Sequence, residues 1–184
     1  CPPRSRIEKI RQKELEKNQK LLDELKKLND KISKEEFFEK MDKYKQNSKN
    51  QKKSLEQLLE LTKKYYVEKK AEQIADKLDK LSEKQDKLSE NQKDNTSETQ
   101  EEINKEFDKI QEELNNLKKD KKELKSPMDL PKTDQKEKSI DEDLKGAKDQ
   151  LQKQNQDKAK PKQKSASKKM KQMSEQMMEM MASG

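Results

Sequence analysis

The sequence predicts an all-α protein: elongated antiparallel helical hairpins forming a coiled-coil bundle, with a flexible Lys-rich C-terminal part. Apolar residues recur at alternating steps of three and four, as in Ala71, Ile74, Leu78 and Leu81, and this spacing keeps one stripe on one face of a helix. Residues 55–92 contain no proline and no glycine. The chain is 46% charged, but its 46 cations nearly balance its 39 anions. Together these features favour long helices over random coil.

The first 125 residues are expected to form one bundle of antiparallel long helices. The helices are predicted at about 7–45 (broken near residue 30), 54–92 and 99–125. The turn between the last two is short and rich in helix-capping residues, so these helices should be antiparallel neighbours. The predicted seam residues are Leu22, Leu25, Leu28, Ile32, Ile74, Leu78, Leu81, Leu88, Ile103, Phe107, Ile110, Leu114 and Leu117.

The stripe of the central long helix changes phase between Tyr66 and Ile74. A change of phase indicates that the helix changes partner, or that the supercoil relaxes, at that point.

The C-terminal third is predicted to be loosely attached. Residues 126–138 contain Pro127 and Pro131 and are expected to be a linker, because the residue before a proline is disfavoured in helical geometry. A short helix is predicted at 139–152 and a Lys/Gln-rich linker at 153–165. A Met-rich amphipathic helix is predicted at 166–182.

The net charge of +7 has a local source, since one stretch carries seven lysines with no acid between them. They are Lys158, Lys160, Lys162, Lys164, Lys168, Lys169 and Lys171. Such a run is either a solvated linker extended by its own charge or a binding site for anionic lipid or nucleic acid. No aromatic residue lies near it for base stacking, which makes nucleic acid the less favoured ligand.

Methionines also recur at helical spacing near the C-terminus. Met170, Met173, Met177 and Met181 are candidates for docking a partner helix, because methionine adapts to irregular surfaces. The alternative is an ordinary helix seam whose cover lies beyond residue 184.

No pattern for enzyme chemistry is present. The chain has no histidine, one cysteine and two glycines, so it offers no metal-binding pattern, catalytic dyad or phosphate-binding loop. We therefore predict no enzymatic activity, no cofactor, no metal and no catalytic residue. Cys1 is open to two interpretations, a lipidated first residue or a fragment boundary.

Residues 54–75 (SLEQLLELTKKYYVEKKAEQIA), 126–139 and 165–181 (SASKKMKQMSEQMMEMM) resemble the helical, Gln- and Met-rich region of a large Bacteroidota family of membrane-anchored proteins of unknown function. Members are sometimes labelled ATPase-like, but no nucleotide-binding motif here supports that label. The resemblance implies a piece of a longer protein, with membrane spans upstream and the helices on the periplasmic side of the cell envelope. It supplies no catalytic residues.

The sequence therefore favours a non-enzymatic coiled-coil scaffold, spacer or protein-interaction segment of a cell-envelope protein. The expected partners are other helices of the same or another protein, including a second copy. The alternative function is electrostatic binding of an anionic membrane surface or nucleic acid through residues 158–171.

Overall fold

The computed structural model describes residues 2–28, 51–126 and 128–183. These residues form five α-helices and no strand, which confirms the all-α prediction. The helices are α1 (Pro2–Leu28), α2 (Gln51–Glu90), α3 (Ser97–Lys122), α4 (Asp134–Gln152) and α5 (Gln156–Ser183). The predicted break near residue 30 and the seam residue Ile32 lie outside the described residues, as do the side chains of Leu22, Leu25 and Leu28.

The chain divides into two compact units rather than the single bundle predicted over residues 1–125. The first unit comprises Cys1–Lys70 and Lys119–Met128, and the second comprises Ala71–Lys118 and Asp129–Gly184. The long helix α2 contributes to both units. The boundary falls inside the interval where the apolar stripe changes phase.

In the second unit, α2 and α3 run antiparallel. Lys77 Nζ of α2 lies 2.6 Å from Glu113 Oε1 of α3, and Lys84 Nζ lies 2.7 Å from Glu106 Oε1. As the residue number rises along α2 it falls along α3, as the predicted hairpin requires.

The two remaining helices continue the alternation. Helix α4 is antiparallel to α3, because Glu101 pairs with Lys148 at 2.6 Å and Lys118 pairs with Asp134 at 3.0 Å. Helix α5 turns back along α4. It also lies against α2, where the Ser174 hydroxyl donates to the Ala75 carbonyl oxygen at 2.6 Å. The second unit is therefore an up-down-up-down arrangement of four helices, closed between the last and the first.

Each helix of the second unit contributes one buried stripe at steps of three and four. On α2 the stripe includes Ala71, Ile74, Leu78, Leu81 and Gln85, and Leu88 near its end is half-buried. The buried residues of the other three stripes are Gln100, Ile103, Phe107, Ile110, Leu114 and Leu117 on α3, Ile140, Leu144, Ala147 and Leu151 on α4, and Ala159, Gln163, Ala166, Met170, Met173 and Met177 on α5.

The predicted flexible linker over 153–165 is wrong for residues 156–165, which form the first turns of α5. The cause is a seam built from small and polar residues: Ala159, Gln163 and Ala166 are fully buried and continue into the methionines at the same spacing. The predicted linker over 126–138 is also too long, because α4 begins at Asp134 rather than at residue 139.

The first unit gathers α1, the first part of α2 and the end of α3. Thr62, Val67 and Leu124 are buried there. The Glu60 carboxylate accepts hydrogen bonds from the backbone N–H groups of Lys125 and Ser126 at 2.7 and 3.2 Å. This carboxylate ties the segment that follows α3 back onto α2.

Candidate functional site

Four of the seven candidate lysines on α5 form ion pairs within the second unit. Lys164 Nζ lies 2.7 Å from both Asp86 Oδ1 and Glu90 Oε1 of α2, and Lys160 Nζ lies 3.2 Å from Glu90 Oε2. Lys169 pairs with Asp143 of α4 at 2.8 Å, and Lys171 lies 3.7 Å from Asp79 of α2. The lysine run contains no acid in the sequence. The acids that pair with it lie on two other helices, α2 and α4.

The pairing shifts the titration of these groups. Hydrogen bonds to Asp86 and then to Glu90 raise the pKa of Lys164. Hydrogen bonds from Lys164 and then from Lys160 lower the pKa of Glu90. Both shifts favour the charged forms, so Lys164 and Glu90 stay ionised around neutral pH.

The other three candidate lysines, Lys158, Lys162 and Lys168, make no ion pair with any described residue. Lys162 lies across Gly146 of α4, where a Cβ atom would stand 2.9 Å from its Cδ. Glycine at position 146 therefore allows the Lys162 stem to pack closely between α4 and α5. The seven lysines do not form one unpaired cationic surface.

The Met-rich stripe is divided between core and surface. Met170, Met173 and Met177 are buried among the helices of their own chain. Met181 is half-buried, and Met178 and Met180 are exposed. The three buried methionines are covered within the chain and leave no open groove for a partner helix.

The most elaborate polar site of the second unit is a buried amide network at the end where α2 meets α3 and α4 meets α5. Gln85 and Gln100 each donate an amide N–H to the other's oxygen, at 3.0 and 2.6 Å. Gln163 of α5 donates to Gln100 Oε1 at 2.8 Å and exchanges hydrogen bonds with Asn95 at 2.8 and 3.0 Å. Gln100 also donates to Asn104 Oδ1 at 2.9 Å.

The network extends to α4 through one backbone carbonyl group. Asn104 donates to the Leu144 carbonyl oxygen of α4 at 3.2 Å. Gln85, Gln100 and Gln163 are each 0% exposed, and buried amides without partners would cost several kcal/mol, about 1–3 each. Sequence reasoning assigned no role to Gln100 or Gln163. The available signal was their position on heptad stripes.

Two open polar grooves lie beside this network. One, of about 720 Å³, is lined by residues that include Asp86, Glu90, Asn91, Asp157 and Lys160. The other, of about 560 Å³, lies between the two inter-helix turns and includes Thr96, Glu98 and Asn155. Amides and hydroxyls line much of both grooves, and the first also contains the ion-paired Asp86, Glu90 and Lys160.

In the first unit, Tyr66 is the centre of a small polar cluster. Burial, and then the charge and hydrogen bonding of the Glu24 carboxylate of α1, raise the pKa of Tyr66. Lys70 Nζ stands 5.5 Å from the centre of the Tyr66 ring and 3.3 Å from Asp120 Oδ2. The cluster joins all three helical segments of this unit.

Among the residues described, no group of three or more carboxylate or thiol side chains is arranged to hold a metal ion. No described helix is both long and apolar enough to cross a membrane. No protein-family model matches the chain, and no curated protein or solved structure matches it significantly.

Proposed function

We propose that this chain is a non-enzymatic helical scaffold or spacer with coiled-coil character. The observation that supports this best is how the polar side chains of the second unit are used. Four of the seven α5 lysines pair with acids of α2 and α4, and the buried amides satisfy one another across three helices. These groups hold helices together, which is what a rigid structural element requires.

The proposal extends to the setting of the protein. The likeness of residues 54–75 and 165–181 to a membrane-anchored Bacteroidota family supports a place in the cell envelope, on the periplasmic side. In that setting the helices would hold other parts of a longer protein at a fixed distance, or bring partner helices together.

Electrostatic binding through residues 158–171 is the less favoured proposal. An anionic ligand would have to compete with Asp86, Glu90, Asp143 and Asp79 for four of the seven lysines. Such competition reduces the gain from counterion release.

The test inverts the surface charge while keeping the fold. The variant Lys160→Glu/Lys164→Glu/Asp86→Lys/Glu90→Lys preserves both net charge and pairing between α2 and α5. In cells whose own copy has been deleted, a scaffold carrying these changes should reverse the defect caused by the deletion as fully as wild type does. The control Leu78→Asp places a charge in the core and should fail.

Circular dichroism must first show that the charge-inverted variant is as helical as wild type. Loss of complementation by a folded, charge-inverted variant would overturn the scaffold proposal, because the surface chemistry itself would then be needed.

A further inference from the structure

The first half of α1 carries most of the large exposed apolar side chains among the described residues. Ile7, Ile10 and Leu15 are 47%, 44% and 58% exposed. The others are Met178 and Met180, at the opposite end of the chain. With about 100° of rotation per residue, the three α1 side chains spread over roughly 140° of the helix surface. Leu15 lies about 80° from Ile7 and about 140° from Ile10 around the helix, outside the narrow stripe that a two-helix seam uses.

The same segment is strongly basic. Residues 2–15 contain five cations, Arg4, Arg6, Lys9, Arg11 and Lys13, and two anions, Glu8 and Glu14. Arg6, Lys9 and Lys13 are exposed and form no ion pair with any described residue. On a helical projection they lie beside Ile10, within about 100° of it on one side. Apolar and cationic side chains therefore share adjoining surfaces of α1.

We propose that the first half of α1 binds an anionic lipid surface. The helix would lie in the plane of the interface, with Ile7 and Ile10 between the headgroups and Arg6, Lys9 and Lys13 against the phosphates. This interaction goes beyond a scaffold role, and it uses α1 rather than the lysine run of α5.

Charge decides between this partner and two others. A second copy of α1 would bring the same basic flank against its own kind, so self-association is opposed by repulsion. Nucleic acid would use the cations but not the isoleucines, and Pro2–Leu28 contains no aromatic residue for base stacking. An anionic bilayer surface accepts both kinds of side chain along one side of the helix, which Ile7, Ile10 and the adjoining cations share.

The absence of tryptophan from the chain allows a specific probe. In the full chain, Ile10→Trp introduces a single tryptophan at the centre of the proposed face, whose emission can be excited apart from that of the three tyrosines. Added vesicles of phosphatidylcholine with one quarter phosphatidylglycerol should shift its emission to the blue at low salt. Vesicles of phosphatidylcholine alone should not, and high salt should reverse the shift.

A matched pair of variants assigns the binding to α1. Arg6→Gln/Lys9→Gln/Lys13→Gln should weaken vesicle co-sedimentation by about a hundredfold, since each cation near such a surface contributes about a factor of five. Lys158→Gln/Lys162→Gln/Lys168→Gln removes the same charge from the unpaired lysines of α5 and should leave binding nearly unchanged.

Four outcomes would overturn the proposal. They are no binding to anionic vesicles at low salt, equal losses for the two triple variants, tighter binding to duplex DNA than to vesicles, and a blue shift of the Ile10→Trp variant that depends on protein concentration without lipid. The last would show that the face meets a second copy. None of these outcomes bears on the complementation test of the scaffold.

Discussion

Gln85 of α2 and Gln100 of α3 form a reciprocal amide pair inside the second unit, each donating to the other's oxygen at 3.0 and 2.6 Å. Both side chains are fully buried. Because Gln163 of α5 also donates to Gln100 at 2.8 Å, one side chain connects three helices. An apolar layer could slide along the helices, whereas this layer is satisfied in one register, so we infer that it fixes the register of the four helices.

Removing the centre of the network should destabilise the second unit. In Gln100→Ala, the side chains of Gln85 and Gln163 lose partners while remaining buried, so the free energy of unfolding should fall by about 2 kcal/mol or more. Urea denaturation followed by circular dichroism measures this change.

Gln111→Ala is the matched control, because Gln111 donates one exposed hydrogen bond to Asp141 at 3.1 Å. Its effect should stay within about 0.5 kcal/mol. Equal effects of the two substitutions would contradict a special role for the buried amides.

Pro161 lies inside α5, where it cannot donate a backbone hydrogen bond and its ring crowds the preceding turn. Its side chain is exposed, so Pro161→Ala removes no core packing. We expect this substitution to raise the free energy of unfolding, by up to about 3 kcal/mol. Thermal unfolding of the two proteins tests it, and a lower midpoint for Pro161→Ala would contradict a helical conformation at this position.

The turn between α4 and α5 places Gln154 at a φ of 57°, a left-handed conformation that costs a side-chain-bearing residue about 1 kcal/mol. The N–H groups of Gln154 and Asn155 donate to the carbonyl oxygens of Leu151 and Gln150, both at 2.9 Å. This pattern at a helix C-terminus favours glycine.

Gln154→Gly should therefore stabilise the protein by up to about 1 kcal/mol. Lys145→Gly, at an exposed position inside α4, should destabilise it by a similar amount. The two glycine substitutions, nine positions apart, should change the free energy of unfolding in opposite directions. Denaturant unfolding of the two variants beside wild type measures both changes. Destabilisation by both would contradict the left-handed turn.

Burial, and then the neighbouring Glu24 carboxylate, raise the pKa of Tyr66. A raised pKa means that the folded state favours the protonated phenol. The resulting stabilisation is fully present below the ordinary tyrosine pKa of about 10 and is lost as the pH rises through the higher folded value.

The difference between the phenolate absorbance titrations of wild type and Tyr66→Phe isolates this one residue among three tyrosines. Its midpoint should lie above about pH 10. The stability difference between the two proteins should be constant below that pH and shrink above it. A midpoint at or below the ordinary tyrosine pKa of about 10 would contradict the contact between Glu24 and Tyr66.

The fold class and the α2–α3 hairpin were predictable because large apolar residues such as Leu78, Phe107 and Leu114 follow a helical spacing that the sequence alone shows. The change of stripe phase after Tyr66 also marked the place where α2 passes from one compact unit to the other. Both features depend on patterns local to one helix.

The role of α5 was not predictable in the same way. Ala159, Gln163 and Ala166 follow the seam spacing, but small and polar residues resemble a linker until α2 and α4 cover them. The lysines of α5 suggested free charge because Asp86 and Glu90 are distant in sequence. Pro161 strengthened the expectation of a break, and tertiary packing outweighed it.

Backbone hydrogen exchange over residues 156–165 tests the central claim, that α5 completes a closed four-helix unit. With Ala159 and Gln163 buried against neighbouring helices, the hydrogen-bonded amides of this stretch, from Ala159 onward, should exchange about as slowly as those of residues 103–117 in α3, because both would open only with the whole unit. Exchange over 156–165 at the rate of an unstructured chain, with α3 still protected, would show a free lysine-rich linker and contradict the account.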